Sequence, residues 1–184
     1  LYVPFNNPHY PMHAPADAVE LFADLPEDRK WFAAMMYTYD QALGRILDTL
    51  DELGLADDTV VFASSDHGPS REPRNWPDGR TDELYRGGST GGLRGHKFSC
   101  FEGGIRLPAL MRWPGVTQPG QVCEAVGHHV DLLPTFAKAA GLEINDDALN
   151  GGDLTPILTG QANEVERPGP LCWNFAGQRA LRAG

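Results

Sequence analysis

Thr59-Val60-Val61-Phe62-Ala63-Ser64-Ser65-Asp66-His67-Gly68 runs from apolar residues into an acid, an imidazole and a glycine. An apolar run of this length, bounded by turn formers, reads as a buried strand. Open α/β sheets bind ligands outside the carboxyl ends of their strands, so the reading puts Asp66 and His67 at a binding edge. A carboxylate beside an imidazole suits a divalent cation. Further along comes a second dense stretch, Arg94-Gly95-His96-Lys97-Phe98-Ser99-Cys100-Phe101-Glu102-Gly103-Gly104-Ile105-Arg106-Leu107-Pro108. The two read together as two walls of one anion-handling site.

The surroundings are those of an ordinary globular chain. Its 184 residues are enough for one domain with a real core. A net charge of −10 argues against a surface built for nucleic acid or an anionic membrane. An anionic substrate would need a local positive pocket. No apolar run is long enough to span a bilayer. Cys100, Cys123 and Cys172 are widely spaced and odd in number, which predicts free thiols rather than a disulfide framework or a zinc site. The chain opens on Leu1-Tyr2-Val3-Pro4-Phe5, which looks like the tail of a strand. It closes on Gln178-Arg179-Ala180-Leu181-Arg182-Ala183-Gly184, which looks like a strand cut short. We therefore expect a segment of a longer protein.

Between these ends the pattern alternates. Asn6 to Pro15 is a turn-rich loop carrying His9 and His13. Asp24-Leu25-Pro26-Glu27 predicts a helix start with a capping box. Phe32, Met36, Tyr39, Leu43, Ile46, Leu50 and Leu53 predict one apolar helix face ending at Gly54. Residues 68–95 form a long Gly-, Pro- and Arg-rich segment, and loops of that length are usually functional or disordered. Arg71, Arg74, Arg80 and Arg86 there read best as solvated loop. Leu107 to Trp113 predicts a buried strand and Val122 to Val126 a short one. Asp131-Leu132-Leu133-Pro134-Thr135 opens a helix with Asp131 as its cap. A short helix over 153–158, a polar linker over 162–170 and a hairpin from Leu171 complete the reading.

The ordered set Pro8-His9-Tyr10-Pro11, Ser65-Asp66-His67-Gly68, Lys97 with Glu102-Gly103-Gly104, Arg106 and Pro108, Trp113-Pro114-Gly115, and Asp131-Leu132-Leu133-Pro134-Thr135 resembles the type I sulfatases of the alkaline-phosphatase-like superfamily. A lone Asp-His-Gly carries little weight; the lysine to Glu-Gly-Gly block with Trp-Pro-Gly behind it is specific. The resemblance implies an α/β fold, a mixed sheet flanked by helices. Residues 1–161 would be the later part of the catalytic domain. Residues 162–184 would be a linker and the start of a small C-terminal β subdomain.

The resemblance also implies sulfuric ester hydrolysis, on a small-molecule or carbohydrate sulfate ester. Asp66 and His67 would bind a divalent cation, usually Ca2+ in this family. His9 and Lys97 would contact the ester and neutralise the departing oxygen, with His9 as general acid. Arg94 and His96, beside Lys97, are candidates for reading the substrate. Family members are often exported, which points to a periplasmic or secreted setting. Oligomeric state is not legible. Two departures stand out. Many sulfatases have Asn where His67 stands, and a nitrogen ligand also suits Mn2+ or Zn2+, so Mn2+ or Mg2+ remain alternatives to Ca2+. A phosphonate or phosphate diester hydrolase of the same superfamily is the rival enzyme reading, and a non-catalytic relative is the third. The family nucleophile, a formylglycine made from Cys or Ser in Cys/Ser-x-Pro-x-Arg, matches none of the three cysteines and is expected upstream. The isolated chain is expected to be inactive.

Overall fold

The structure, a computed structural model, describes residues 1–144 and 148–183. The chain divides into two compact units, one of residues 1–59 and 63–109, the other of residues 60–62 and 110–183.

In the first unit, α1 spans Ala16–Glu20 and α2 spans Glu27–Glu52. The predicted capping box does not form. Pro26 takes the N-cap position, with no side-chain cap, and Glu27 instead accepts from Lys30 Nζ at 2.6 Å and Trp31 Nε1 at 2.8 Å. The other end follows expectation. Leu55 N–H donates to Leu50 O at 2.8 Å and Gly54 N–H to Asp51 O at 3.0 Å, with Gly54 at φ +67°. This pair of bonds is a Schellman stop. The buried face of α2 is centred on Ala34 and Met35 rather than on the predicted stripe, and Met36 and Leu53 are exposed.

The 68–95 segment is more ordered than its composition suggests. Trp76 and Tyr85 leave it to pack edge to face, ring centroids 5.3 Å apart, in one cluster with Met12 and Met35. Trp76 Nε1 donates to Glu83 O at 2.9 Å and the Tyr85 hydroxyl to Asp28 O at 2.6 Å, so both polar ends are satisfied. Burial, with the nearby Asp28 charge, pushes the Tyr85 phenol well above its ordinary range. A short helical turn, α3, follows at Glu102–Ile105.

The strand of the opening stretch, β1, covers Val61–Ser64 and is hydrogen-bonded to β2, Ala109–Arg112. Both are shorter and less buried than predicted. Every residue of β1 is half-buried, and Leu110 in β2 is exposed.

The second unit continues with α4, Leu132–Ala139, and α5, Thr155–Leu158. Residues 122–126 form no strand. Leu154, Ile157 and Val165 make the local core, with Met111, Ala125 and Leu132 against it. The predicted hairpin is present. β3, Leu171–Phe175, pairs antiparallel with β4, Gln178–Arg182, in the register Leu171 to Arg182 and Phe175 to Gln178. Ala176 and Gly177 turn it with φ of +46° and +79°, both in the left-handed region that two-residue hairpin turns require. Gly184, the last residue of that stretch, lies outside the described residues.

Asp131 is the hub of this unit. It stands at the N-cap position of α4 without capping that helix. Its fully buried carboxylate accepts from Arg167 Nε at 2.8 Å and Nη2 at 2.6 Å, from His128 N at 2.7 Å and from Gly152 N at 2.9 Å. The predicted helix cap is therefore not formed: the carboxylate is held instead by a guanidinium 36 residues away.

Candidate active site

Backbone contacts between glycines bring the site residues of the first unit together. Gly68 N–H donates to Gly104 O at 2.9 Å, Gly103 N–H to Arg94 O at 2.7 Å, and Lys97 N–H to Pro69 O at 3.0 Å. A Cβ on Gly68 would overlap the Gly103 carbonyl oxygen, and one on Gly104 the carbonyl oxygens of Ser99 and His96. Only glycine permits so close an approach of main chains. The loop after β1 and the loop carrying Lys97 are thereby sewn together, although 68–95 intervenes in sequence.

Asp66 and His67 sit at the end of β1, as predicted. The Asp66 side chain is 82% exposed, and its Oδ2 lies 3.4 Å from His67 Nε2. His67 Nδ1 lies 2.9 Å from Gly68 O. A carbonyl only accepts, so Nδ1 carries a proton, and Nε2 is the nitrogen turned towards Asp66. A second-nitrogen bond to a carbonyl is the usual orienting device of a metal-ligating histidine. The donor chemistry therefore fits a divalent cation, as two ligands of a larger set. Among the described residues no group of three or more His, Cys, Asp and Glu could hold an ion by itself.

Lys97 is buried, with 8% of its surface exposed. Its ammonium lies 3.4 Å from His9 Nε2, a residue 88 positions away, and 3.4 Å from Glu72 Oε2. His9 is exposed, and its Nδ1 is 2.8 Å from Tyr10 O. The same logic puts a proton on Nδ1 and turns Nε2 to Lys97 as acceptor. The loop carrying His9 is moored to α2 by Asn7 Nδ2 donating to Met35 O at 2.9 Å.

Glu72 was missed in the sequence. Its carboxylate also meets Arg74 Nη2 at 2.5 Å and accepts from Ser70 Oγ at 3.0 Å. Burial alone would raise its pKa, but the Ser70 hydrogen bond and the charges of Lys97 and Arg74 outweigh it and hold the carboxyl below its ordinary range. Arg74 lies 4.2 Å over the Tyr10 ring, and that ring is 4.4 Å from the His9 imidazole. The only sequence signal was the density of charge in 70–74, which reads equally well as solvated loop.

The other two candidates are placed differently. Arg94 is exposed, with its guanidinium 4.0 Å over Phe101. His96 is half-buried, and its Nδ1 is shielded from solvent without a hydrogen-bond partner. Arg80 pairs with Asp78 and stacks 4.4 Å over Trp76, in keeping with a role in the loop itself. No described helix is long and apolar enough to cross a membrane.

Comparison with known proteins gives the family. The Sulfatase family model matches residues 1–142. Steryl-sulfatase of Rattus norvegicus is 45% identical over 128 residues, which is 69% of this chain and 21% of that protein. Arylsulfatase A of Homo sapiens is 34% identical over 160 residues, covering 87% of this chain and 28% of that protein. Among solved structures, Ps i-CgsB in complex with k-i-k-neocarrahexaose superposes with a TM-score of 0.73 at 26% identity, over 96% of this chain and 39% of that one. The chain thus spans between a fifth and a third of these two curated relatives. Matched over most of its length, and with an alkaline-phosphatase-like α/β fold, this chain belongs to the sulfatase family.

Proposed function

We propose that the chain is part of a sulfuric ester hydrolase and supplies the leaving-group side of its active site together with one wall of a cation site. The observation that carries this reading is the Lys97 ammonium, buried and 3.4 Å from His9 Nε2. Cleavage of a sulfate ester breaks the S–O bond and leaves negative charge on the departing oxygen. A fixed ammonium stabilises that charge, and the imidazole beside it can deliver a proton only after taking one up at Nε2, the nitrogen that faces Lys97. The Nδ1 contact to Tyr10 O orients the ring so that Nε2 is the working nitrogen.

Asp66 and His67 would hold part of a divalent cation, with Ca2+ favoured by family resemblance. Such an ion would supply positive charge to the sulfate oxygens. Further ligands and the formylglycine nucleophile are assigned to chain outside these 184 residues. Residues 1–161 belong, on this reading, to the catalytic part and 162–184 to the start of a C-terminal β part. Arg94 and His96 remain candidates for substrate contact. A relative named steryl-sulfatase and a similar structure holding k-i-k-neocarrahexaose leave the substrate class as a sulfate ester on a small molecule or a sugar.

The test uses the native protein that carries this segment, with p-nitrophenyl sulfate and a matched phosphonate monoester. We expect the sulfate to be the better substrate and Lys97→Ala to lower kcat by about 10²- to 10³-fold, the cost of removing one such donor, with His9→Ala also impaired. Faster turnover of the phosphonate, or Lys97→Ala at full kcat, would overturn the reading.

A further inference from the structure

The contacts around Lys97 close into a ring of five side chains, of which His9 and Lys97 face the reaction and Glu72 is the one carboxylate. Resting on the reading of His9 and Lys97 as the leaving-group side of a sulfatase site, we propose that Glu72 is the positioning residue that holds the Lys97 ammonium against His9. The ring runs from His9 to Tyr10 by ring contact at 4.4 Å, to Arg74 by a guanidinium 4.2 Å over Tyr10, to Glu72 by an ion pair of 2.5 Å, to Lys97 at 3.4 Å, and back to His9 at 3.4 Å. Three separate segments of the first unit contribute to it.

A buried lysine loses hydration and stays charged only with a compensating partner. The neutral His9 Nε2 accepts a hydrogen bond but brings no charge. Glu72 is the carboxylate in contact with Lys97, and it is fixed independently of Lys97. Ser70 Oγ donates to Oε2 and accepts from Glu72 N at 3.2 Å, while Arg74 takes Oε1. The carboxylate is thus a rigid anchor to which a flexible four-carbon side chain is tied. Arg74 divides its planar group between Glu72 and the face of Tyr10, so a displacement of Glu72 would disturb the lysine from one side and the histidine loop from the other. A carboxylate does not itself suit contact with an anionic ester. With His9 neutral, the ring carries two cations and one anion, leaving one positive charge for the substrate.

The experiment measures kcat and KM of the native protein carrying this segment with p-nitrophenyl sulfate, for Glu72→Gln, Glu72→Asp, and Glu72→Gln combined with Lys97→Ala. Glu72→Gln keeps the shape and removes the charge. Its kcat is expected to fall about 10- to 100-fold, the scale of a small misplacement of a reacting group. KM should stay within about threefold, as for an interaction made in the transition state. The thermal midpoint should match the unaltered protein. Glu72→Asp restores the charge on a shorter arm and should recover part of the loss. In the Lys97→Ala background, Glu72→Gln should cost less than about threefold more, because its route to the reaction is already gone. Full kcat in Glu72→Gln, or losses that multiply in the double variant, would overturn the positioning role alone. An unaltered protein without sulfatase activity would overturn the reading of the site and this role with it.

Discussion

Asp131 and Lys97 are the buried charged side chains among the described residues, and their surroundings differ in kind. Asp131 has all its capacity used. Four donors reach its carboxylate between 2.6 and 2.9 Å, two of them from the fork of Arg167, which also donates to Val126 O at 2.8 Å. Lys97 is held loosely, with both polar neighbours at 3.4 Å and the Phe98 ring 5.0 Å away. An ammonium has three donors, and contacts this long leave room for a better acceptor. The first arrangement maximises structure. The second positions a desolvated charge with donor capacity to spare, as suits an ammonium that is to meet negative charge appearing only during a reaction.

The contrast can be tested, and the largest effect should come from the saturated pair. Arg167→Met would leave the Asp131 carboxylate buried without its cation. Breaking a buried pair from one side costs about 3–5 kcal/mol, readable as a drop in the urea midpoint of the chain. A loss under about 1 kcal/mol, the surface-pair range, would show that water reaches Asp131 and that the contrast is false.

Lys97→Met should cost much less stability, within about 1 kcal/mol, because removing a loosely paired buried charge also removes its desolvation cost. Glu72 would keep Ser70 and Arg74. A loss as large as that of Arg167→Met would make Lys97 a structural residue and sharpen the comparison in the opposite direction.

The smallest effect concerns pH in the second unit. His128 accepts from Val130 N–H at 3.1 Å through Nδ1, which requires the neutral ring. Burial lowers its pKa from the ordinary 6.5; Asp131 opposes this, while His129 and Arg167 add to it. A depressed histidine contributes stability that is complete above 6.5 and is lost as pH falls through the lower native value. The urea midpoint should therefore decline from pH 7.5 to 5.5 more steeply in the parent than in His128→Asn, where the asparagine keeps a capping acceptor and does not titrate. Equal slopes would remove His128 as the cause.

What could be read from the sequence divides along the same line. Features set by neighbouring residues were legible: the length of α2 and its stop at Gly54, the hairpin turn at Ala176-Gly177, and Asp66-His67 at the end of an apolar run. His9 and Lys97 were legible because motif order placed them, and the structure brings them together. Glu72, Tyr10 and Arg74 were not, because their meaning depends on contacts between segments that no local pattern connects. Residues 122–126 show the converse failure. Val122 and Val126 favour a strand locally, but no strand among the described residues pairs with them, and β-propensity without a partner decides nothing. The 68–95 segment reads from its glycines, prolines and arginines as an irregular functional loop with solvated arginines. Trp76 and Tyr85, which carry its packing, were hidden by that composition.

The main-chain stitches at Gly68–Gly104 and Pro69–Lys97 act as a ruler. They set the spacing between the Asp66-His67 edge and the lysine by bond lengths and carbonyl contacts, not by rotamers. The exposed tip of the intervening loop, 77–84, hangs between Trp76 and Tyr85, which are buried on either side of it. Doubling the length of such a tip costs only about 0.6 kcal/mol of closure entropy. The part of the chain best placed to diversify is thus mechanically insulated from the part that cannot move.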